Sequence, residues 1–394
     1  MEFVGRLPYM VTPVIAGYGE SAYDKTDQKH PLEYMSDAIR AALDDSGLSI
    51  DDIDGFASAS FMLGLENVVT IGQQFGIDGT WFSEGAQGGA SSVSAIVRGC
   101  EVIEHNDSVD TILIVAADSF TPDSHMDLVD DFNTGIRNNM APYGFGGANG
   151  LFALIQRRHM HEYGTTRKQL SSVAVTQRAH ALKNPRAIFD SPLTTEEYLD
   201  ARPIVKPIHL YDCVLPCGAG GAIVLTTEEK ADETGAEKVY LTAGCEHHDP
   251  DPTKPFELST SLRNCKHIFD DNDLDRDDID AVQLYDDYPI MVALQLEDLG
   301  FCAKGEGGTY IEETDLSITG ELPLNTGGGQ LSMGQAGAAG GILAPIEAIR
   351  QLRGNGGERQ VPDCETVLAT GFGMVGYGGG LSGSVAVMSN TEVN

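Results

Sequence analysis

No cysteine occurs from Met1 to Gly99 of this 394-residue chain. A nucleophilic cysteine in the first quarter of the sequence is therefore excluded. Basic residues are scarce, at 25 Lys and Arg against 59 Asp and Glu, a formal net charge of −34. Phosphate binding needs clustered Lys and Arg, so nucleic acid is excluded as the main partner. An anionic membrane surface is excluded on the same ground. Long apolar runs are missing too. The longest, near TILIVAA (111–117), is far too short to cross a bilayer. MEFVGRLPYM carries no charged stretch leading into an apolar run, so no signal peptide is expected. The seven cysteines are odd in number and include no CxxC pair. That usage reads as reduced thiols in a cytoplasm. Cys213 and Cys217 in DCVLPC have no second pair to match them, and no metal site is expected.

What is present points to a globular protein, with 41% hydrophobic and 7% aromatic residues. The length suits two or three domains, or one duplicated unit. The large negative charge reads as adaptation to high salt, where screening removes self-repulsion, with an ordinary acidic enzyme as the alternative.

The chain echoes itself. LSIDDIDGFASAS (48–60) is matched by LDRDDIDAVQLYD (274–286), and the 91–118 stretch by 346–372. In the second pair each copy is a Gly-rich turn, an amphipathic helix and a short buried strand, the pattern of βα units in a parallel sheet. Two similar halves imply a duplicated α/β fold, divided at 1–235 and 236–394. MSDAIRAALDDSGL (35–48) is expected to be a helix closed by a left-handed Gly47. Residues 119–210 break the rhythm and read as an inserted loop region with short helices, of the kind that is usually functional.

Four stretches carry a resemblance: APYGFGGANG (141–150), NPRAIF through YLDARPIVKPIHLYDC (184–213), DDIDAVQLYDDYP (277–289) and LPLNTGGGQLSMGQAGAAGG (322–341). Together they resemble the thiolase superfamily, in its sterol-carrier-protein-type branch. The resemblance implies two βαβαβαββ halves in a five-layer αβαβα sandwich, with a loop domain over the active site. It also implies a homodimer, and a coenzyme A thioester as substrate with no bound cofactor.

The family's chemical positions are altered here. Its nucleophilic cysteine falls in SEGAQGGASS, most nearly on Gln87, with Ser91 and Ser92 the closest hydroxyls. Its HD or NE pair reads Tyr285-Asp286. The histidine that activates its nucleophile is replaced by Gln335, and its acid/base cysteine by Thr370. Gly371 and Gly373 sit where the family builds its second oxyanion hole from backbone. A covalent acyl-enzyme therefore lacks both nucleophile and base. QLYDDYP, GFCAKGEGG and LPLNTGGGQLS are similar to thiolase-like aldolases, which cleave β-hydroxyacyl-CoA side chains beside a small zinc-ribbon/OB-fold partner. In that group a tyrosine in the position of Tyr285 serves in acid/base catalysis. A second tyrosine that the aldolases use falls near Ala338 and Ala339.

Other polar residues bear weighing. His247 in CEHHDPD is a replacement base if it reaches the pocket, and Asn325 beside its Gly-rich turn is placed to orient backbone or a thioester carbonyl. His159 and His161 share no helix face, which suits packing. The acids of 270–278 lack the glycine and closing glutamate of an EF-hand, so they read as solvated charge. Three functions follow: retro-aldol cleavage of a β-hydroxyacyl-CoA, which is favoured; acyl transfer from a serine-based site; and a non-catalytic acyl-CoA-binding or scaffolding subunit. The discriminating observation is whether Tyr285, Ser91 and Asn325 converge on one tunnel.

Overall fold

The two echoed strings fold alike. The N–H and Oγ of Ser49 donate to Asp52 at 2.8 and 2.7 Å, and the N–H of Asp275 donates to Asp278 at 2.8 Å. Two residues further on, Asp54 accepts the N–H groups of Asp110 and Thr111 at 3.1 and 3.2 Å. Asp280 accepts those of Glu365 and Thr366, both at 2.8 Å. In each half one acid closes a tight turn and the next pins the start of a buried strand to its parallel neighbour. A computed structural model describes residues 11–392 apart from 27, 65, 125–126, 128–133, 145–146, 250–257 and 377–378. MEFVGRLPYM, the end of CEHHDPD, and residues 145–146 and 377–378 of the Gly-rich motifs lie outside the described residues.

The main sheet has nine strands: β1 (Pro13–Glu20), β2 (Gly55–Ala59), β3 (Trp81–Glu84), β4 (Thr111–Ser119), β5 (Gly218–Thr227), β6 (Val239–His248), β7 (Ala281–Gln283), β8 (Thr366–Gly376) and β9 (Gly379–Ser389). Their order is β3-β2-β4-β5-β1-β6-β9-β8-β7. Five strands of the first half thus meet four of the second. The seam is short, with Val14 opposite Tyr240 and Ile15 opposite Val239. In the second half, Leu324 forms a lone parallel bridge to Val282, where β3 stands beside β2 in the first.

The longer helices are α1 (Pro31–Ser46), α2 (Val68–Phe75), α3 (Ser91–His105), α4 (Gly147–Tyr163), α5 (Arg167–Ala181), α6 (Pro289–Leu299) and α7 (Leu343–Leu352). Helix α1 covers β1, β4 and β5 from outside. Helices α3 and α7 lie in the middle layer, each touching strands of both halves. Helix α6 is buried along its whole length and shares a core with Val282, Leu368 and Phe372. The layers therefore run α, β, α, β, α, as expected. Helix α1 does end at a left-handed Gly47 (φ 69°). It starts four residues before the expected Met35, because His30 and Glu33 form a reciprocal cap ahead of Pro31.

Two expectations are corrected. The 119–210 region is more than a loop with short helices: α4 and α5 run 17 and 15 residues. Helix α5 opens on a capping box, with Thr166 and Gln169 bonding each other's backbone at 2.9 and 3.2 Å. The cysteines are not all free thiols either. Cys245 and Cys265, 20 residues apart, form a disulfide. Strand β6 and the turn at Leu262–Cys265 bring them together, which no local spacing records.

Candidate active site

A cavity lies where the first half's Gln87–Gly89 turn meets the Phe372–Val375 end of β8. Phe61, Phe152, Phe372 and Val214 give it apolar walls. Tyr285, Asp287 and Gln335 supply polar groups. The turn can approach β8 because of glycine. A Cβ at Gly373 would fall 1.5 Å from the Gln87 carbonyl, and one at Gly89 would fall 2.0 Å from the Tyr285 ring. Met374 beside Gly373 adopts a positive φ of 60°, an uncommon backbone for a side-chain-bearing residue.

Tyr285 is held through its backbone. Its N–H donates to Thr370 Oγ1 at 2.9 Å, that hydroxyl donates to Gln295 at 2.6 Å, and Gln295 Nε2 returns a bond to the Tyr285 carbonyl at 2.6 Å. Thr370 thus positions the tyrosine. The Tyr285 hydroxyl is pushed well above its ordinary value by burial, then by the negative charge of Asp287 and Asp286, while Gln335 and Gln330 pull the other way. Tyr285 is therefore a neutral phenol near neutral pH, suited to donating a hydrogen bond rather than taking a proton.

Asp286 turns away from the cavity. It accepts the N–H groups of Gln330 and Leu331 at 2.8 and 3.1 Å. Burial pushes its carboxyl up to about 7, with those same donors opposing. Gln335 lines the cavity, and its Nε2 donates to the Gly337 carbonyl at 3.2 Å while its Oε1 is buried without a partner. Gly373 also lines the cavity. Gly371 sits deeper in β8, paired with Ser384.

Tyr285, Ser91 and Asn325 do not converge. Ser91 Oγ accepts the Gln87 N–H at 3.1 Å and lines a separate small pocket that includes Ser83, Gln87 and Ser92. Asn325 borders a polar cavity behind Tyr285, but its side chain is spent on Leu284, accepting the N–H at 2.7 Å and donating to the carbonyl at 2.9 Å. It completes the second half where β3 is replaced by a single bridge. His247 sits on β6 opposite Gly383 and is not among the residues lining the cavity. His159 is fully buried, 2.8 Å from Glu297. No cysteine lines the cavity; Cys213, near it, has its thiol pushed up to about 12 by burial, then by Asp212.

Two cavity groups escape a reading by motif alone. Tyr288 stacks on Phe152 with ring centroids 4.1 Å apart, and its hydroxyl donates to Asn149. Asp287 is only partly exposed, and its Oδ1 is closed off from water with no hydrogen-bond partner. Burial, then Asp286, pushes its carboxyl well above the ordinary range. The signal for it was available: alternate residues of an extended segment share a side, so Tyr285 and Asp287 face the cavity while Asp286 faces away.

Comparison with known proteins agrees with this geometry. The family model "Thiolase C-terminal domain-like" matches residues 243–388. The chain is 29% identical over 375 residues to the 17-hydroxy-3-oxo-4-pregnene-20-carboxyl-CoA lyase of Mycobacterium tuberculosis, covering 90% of this chain and 95% of that protein. It is 29% identical over 376 residues to the steroid side-chain-cleaving aldolase of Thermomonospora curvata, covering 90% and 94%. Among solved structures, the Ltp2-ChsH2(DUF35) aldolase superposes with a TM-score of 0.84 at 27% identity, over 97% of this chain and 99% of that one. With its duplicated halves and five layers, the chain has a thiolase-type fold and is similar to the aldolase-like members of the thiolase superfamily.

Proposed function

We propose that this protein is an acyl-CoA lyase that cleaves a β-hydroxyacyl-CoA by a retro-aldol reaction. The observation that carries this reading is a cavity lined, among the described residues, by proton-transfer side chains and no cysteine or serine. Gln87 stands at the nucleophile position, Ser91 opens into another pocket, and Tyr285 and Asp287 face the free space. Retro-aldol cleavage needs a base for the β-hydroxyl and a donor for the enolate oxygen, but no covalent intermediate. The named lyase and aldolase relatives support the same reaction class. Tyr285 is the catalytic tyrosine of this proposal, Thr370 and Gln295 position it, and the Gly373 backbone is offered to the thioester oxygen. The substrate is a coenzyme A thioester, with no bound cofactor.

The proposal extends to assembly. The chain works as a homodimer of duplicated halves, 1–235 and 236–394, in a salt-rich cytoplasm, beside a small zinc-ribbon/OB-fold protein. The DUF35 component named in the aldolase neighbour supports such a partner. The test is co-purification with that partner, then incubation with β-hydroxyacyl-CoA and β-ketoacyl-CoA panels. A carbonyl product plus a shortened acyl-CoA is expected from the first panel. Thiolysis of the second panel through a serine adduct would overturn the reading.

A further inference from the structure

Among the described residues, three side chains that titrate line the cavity: Tyr285, Asp287 and Tyr288. Tyr288 is committed to Asn149. The other two face one space and differ in what they can do. A phenolate at Tyr285 would be a further negative charge beside Asp286 and Asp287, in a cavity lined by no cation. Gln335 and Gln330 near its hydroxyl end ease that cost, but burial and the two acids outweigh them, so the neutral phenol is the form the site favours.

Asp287 is the reverse case. Asp286 is spent on two backbone donors, but Asp287 Oδ1 has none. The groups facing it are Tyr285, Asp286 and Tyr288 from its own segment and the Cys213 thiol from the Leu210–Cys213 turn. The remaining lining residues carry no charge. The Asp287 carboxyl lines the cavity and its Oδ1 is left without a hydrogen-bond partner, so it is placed to exchange a proton with a ligand bound there.

We propose that Asp287 is the general base of the reaction and that Tyr285 is the hydrogen-bond donor to the thioester oxygen. This assignment rests on the lyase reading above and deepens it. The Asp287 carboxylate takes the proton of the β-hydroxyl. The O–H electron pair becomes the new C=O bond, and the Cα–Cβ bond breaks. Its electron pair passes to the thioester as an enolate, whose oxygen Tyr285 holds. The proton on Asp287 is then delivered to Cα, which restores the carboxylate and leaves a carbonyl compound and a shorter acyl-CoA. A cavity carboxyl that burial raises above the ordinary range suits this exchange better than a phenol with a reference value of about 10.

The second half of this sequence runs backwards on product alone, as exchange of the α-hydrogens of a panel of short saturated acyl-CoA thioesters in D2O, read by mass spectrometry. The full-length chain should catalyse it. Asp287→Asn should slow it at least about 10²-fold, the scale of general base catalysis. Tyr285→Phe should slow it while keeping the rising pH limb of the wild type, which falls above the ordinary carboxylate range and below about 10. The wild-type profile needs no variant to fold. Exchange that climbs only above about pH 9 would make Tyr285 the base. That result, wild-type rates in Asp287→Asn, or no exchange by the wild-type chain would each overturn the assignment. Exchange as expected, without turnover of any β-hydroxyacyl-CoA, would remove the lyase reading and keep Asp287 as the α-proton transfer group. Normal cleavage by Asp287→Asn would remove the base and keep the lyase.

Discussion

Asp118 and Asp287 stand near the ends of the sheet's parallel strands, one in each half, and they are used in opposite ways. Asp118 closes β4 and accepts the Ser60 hydroxyl at 2.6 Å and the N–H groups of Phe61, Met62 and Ala338 at 3.0, 3.0 and 2.7 Å. Asp287 follows β7 and leaves one oxygen with no donor. Burial raises both carboxyls, Asp118 only to about 6 because its four donors oppose it. Burial alone therefore does not mark a functional acid. An acid with its donors supplied is a joint of the fold, here tying the Phe61 wall of the cavity to the 338 turn. An acid that lines a cavity with one oxygen left without a donor is available to a ligand.

The comparison is most exposed to a stability measurement. Asp118→Ala would leave three backbone N–H groups and a hydroxyl without their acceptor. Unsatisfied buried donors cost about 1–3 kcal/mol each, so a loss of at least about 3 kcal/mol is expected from denaturant midpoints. Asp287→Ala removes an acid that bonds little and should cost about 1 kcal/mol or less. Equal losses for the two variants would break the distinction.

On the functional side, Tyr285→Phe keeps the ring against Gly89 and the backbone bonds to Thr370 and Gln295, so folding and CoA-ester binding should survive. Turnover of β-hydroxyacyl-CoA should fall by at least about 10²-fold, with KM little changed. A variant within a few-fold of wild type would remove Tyr285 from the chemistry.

Legibility in the sequence followed the range of the interactions. The DDID echo exposed the duplication because the turn acids and strand-pinning acids act within a few residues of their strands. Gly47 and Tyr285 were found from local motifs. Helix α5 carries a local start signal in Thr166 and Gln169, yet the region as a whole read as loop because it breaks the βα rhythm. Asn325 was recognised as a turn residue with a polar side chain, but its service to Leu284 depends on two segments 41 residues apart. The Cys245–Cys265 pair and the missing partner of Asp287 Oδ1 are properties of the assembled cavity and core, and only a strand's two-residue alternation hinted at the second.

A third buried acid tests the joint side of the comparison through pH. Burial works against ionised Glu297, but His159 at 2.8 Å and Lys304 at 3.0 Å outweigh it and hold the carboxyl down to about 2, from an ordinary 4.5. A depressed carboxyl stabilises the fold above its unfolded value and loses that contribution as pH falls through the folded one. Melting temperature should therefore decline between about pH 4.5 and 2. Glu297→Gln should flatten that decline and lower stability at neutral pH by about 1–3 kcal/mol. An unchanged acid limb would show that the pair contributes nothing.

The smallest expected effect is the most decisive for the reaction class. Ser91 opens α3 at the end of the Gln87 turn, where a thiolase-type nucleophile would be sought, and its hydroxyl accepts the Gln87 N–H at 3.1 Å. It is buried, it opens into a pocket separate from that of Tyr285, and no histidine lines that pocket to activate it. A serine without an adjacent base is a weak nucleophile. Ser91→Ala should cost the one hydrogen bond, about 1 kcal/mol of stability, and change turnover by less than about tenfold, since the turn is also held by its packing on β8. Intact-mass spectra of the wild type incubated with substrate should show no added acyl group. An acyl adduct on Ser91, with abolished turnover in the alanine variant, would replace the lyase mechanism by acyl transfer. It would also turn the Gln87 segment, rather than the Tyr285–Asp287 pair, into the chemical centre of the molecule.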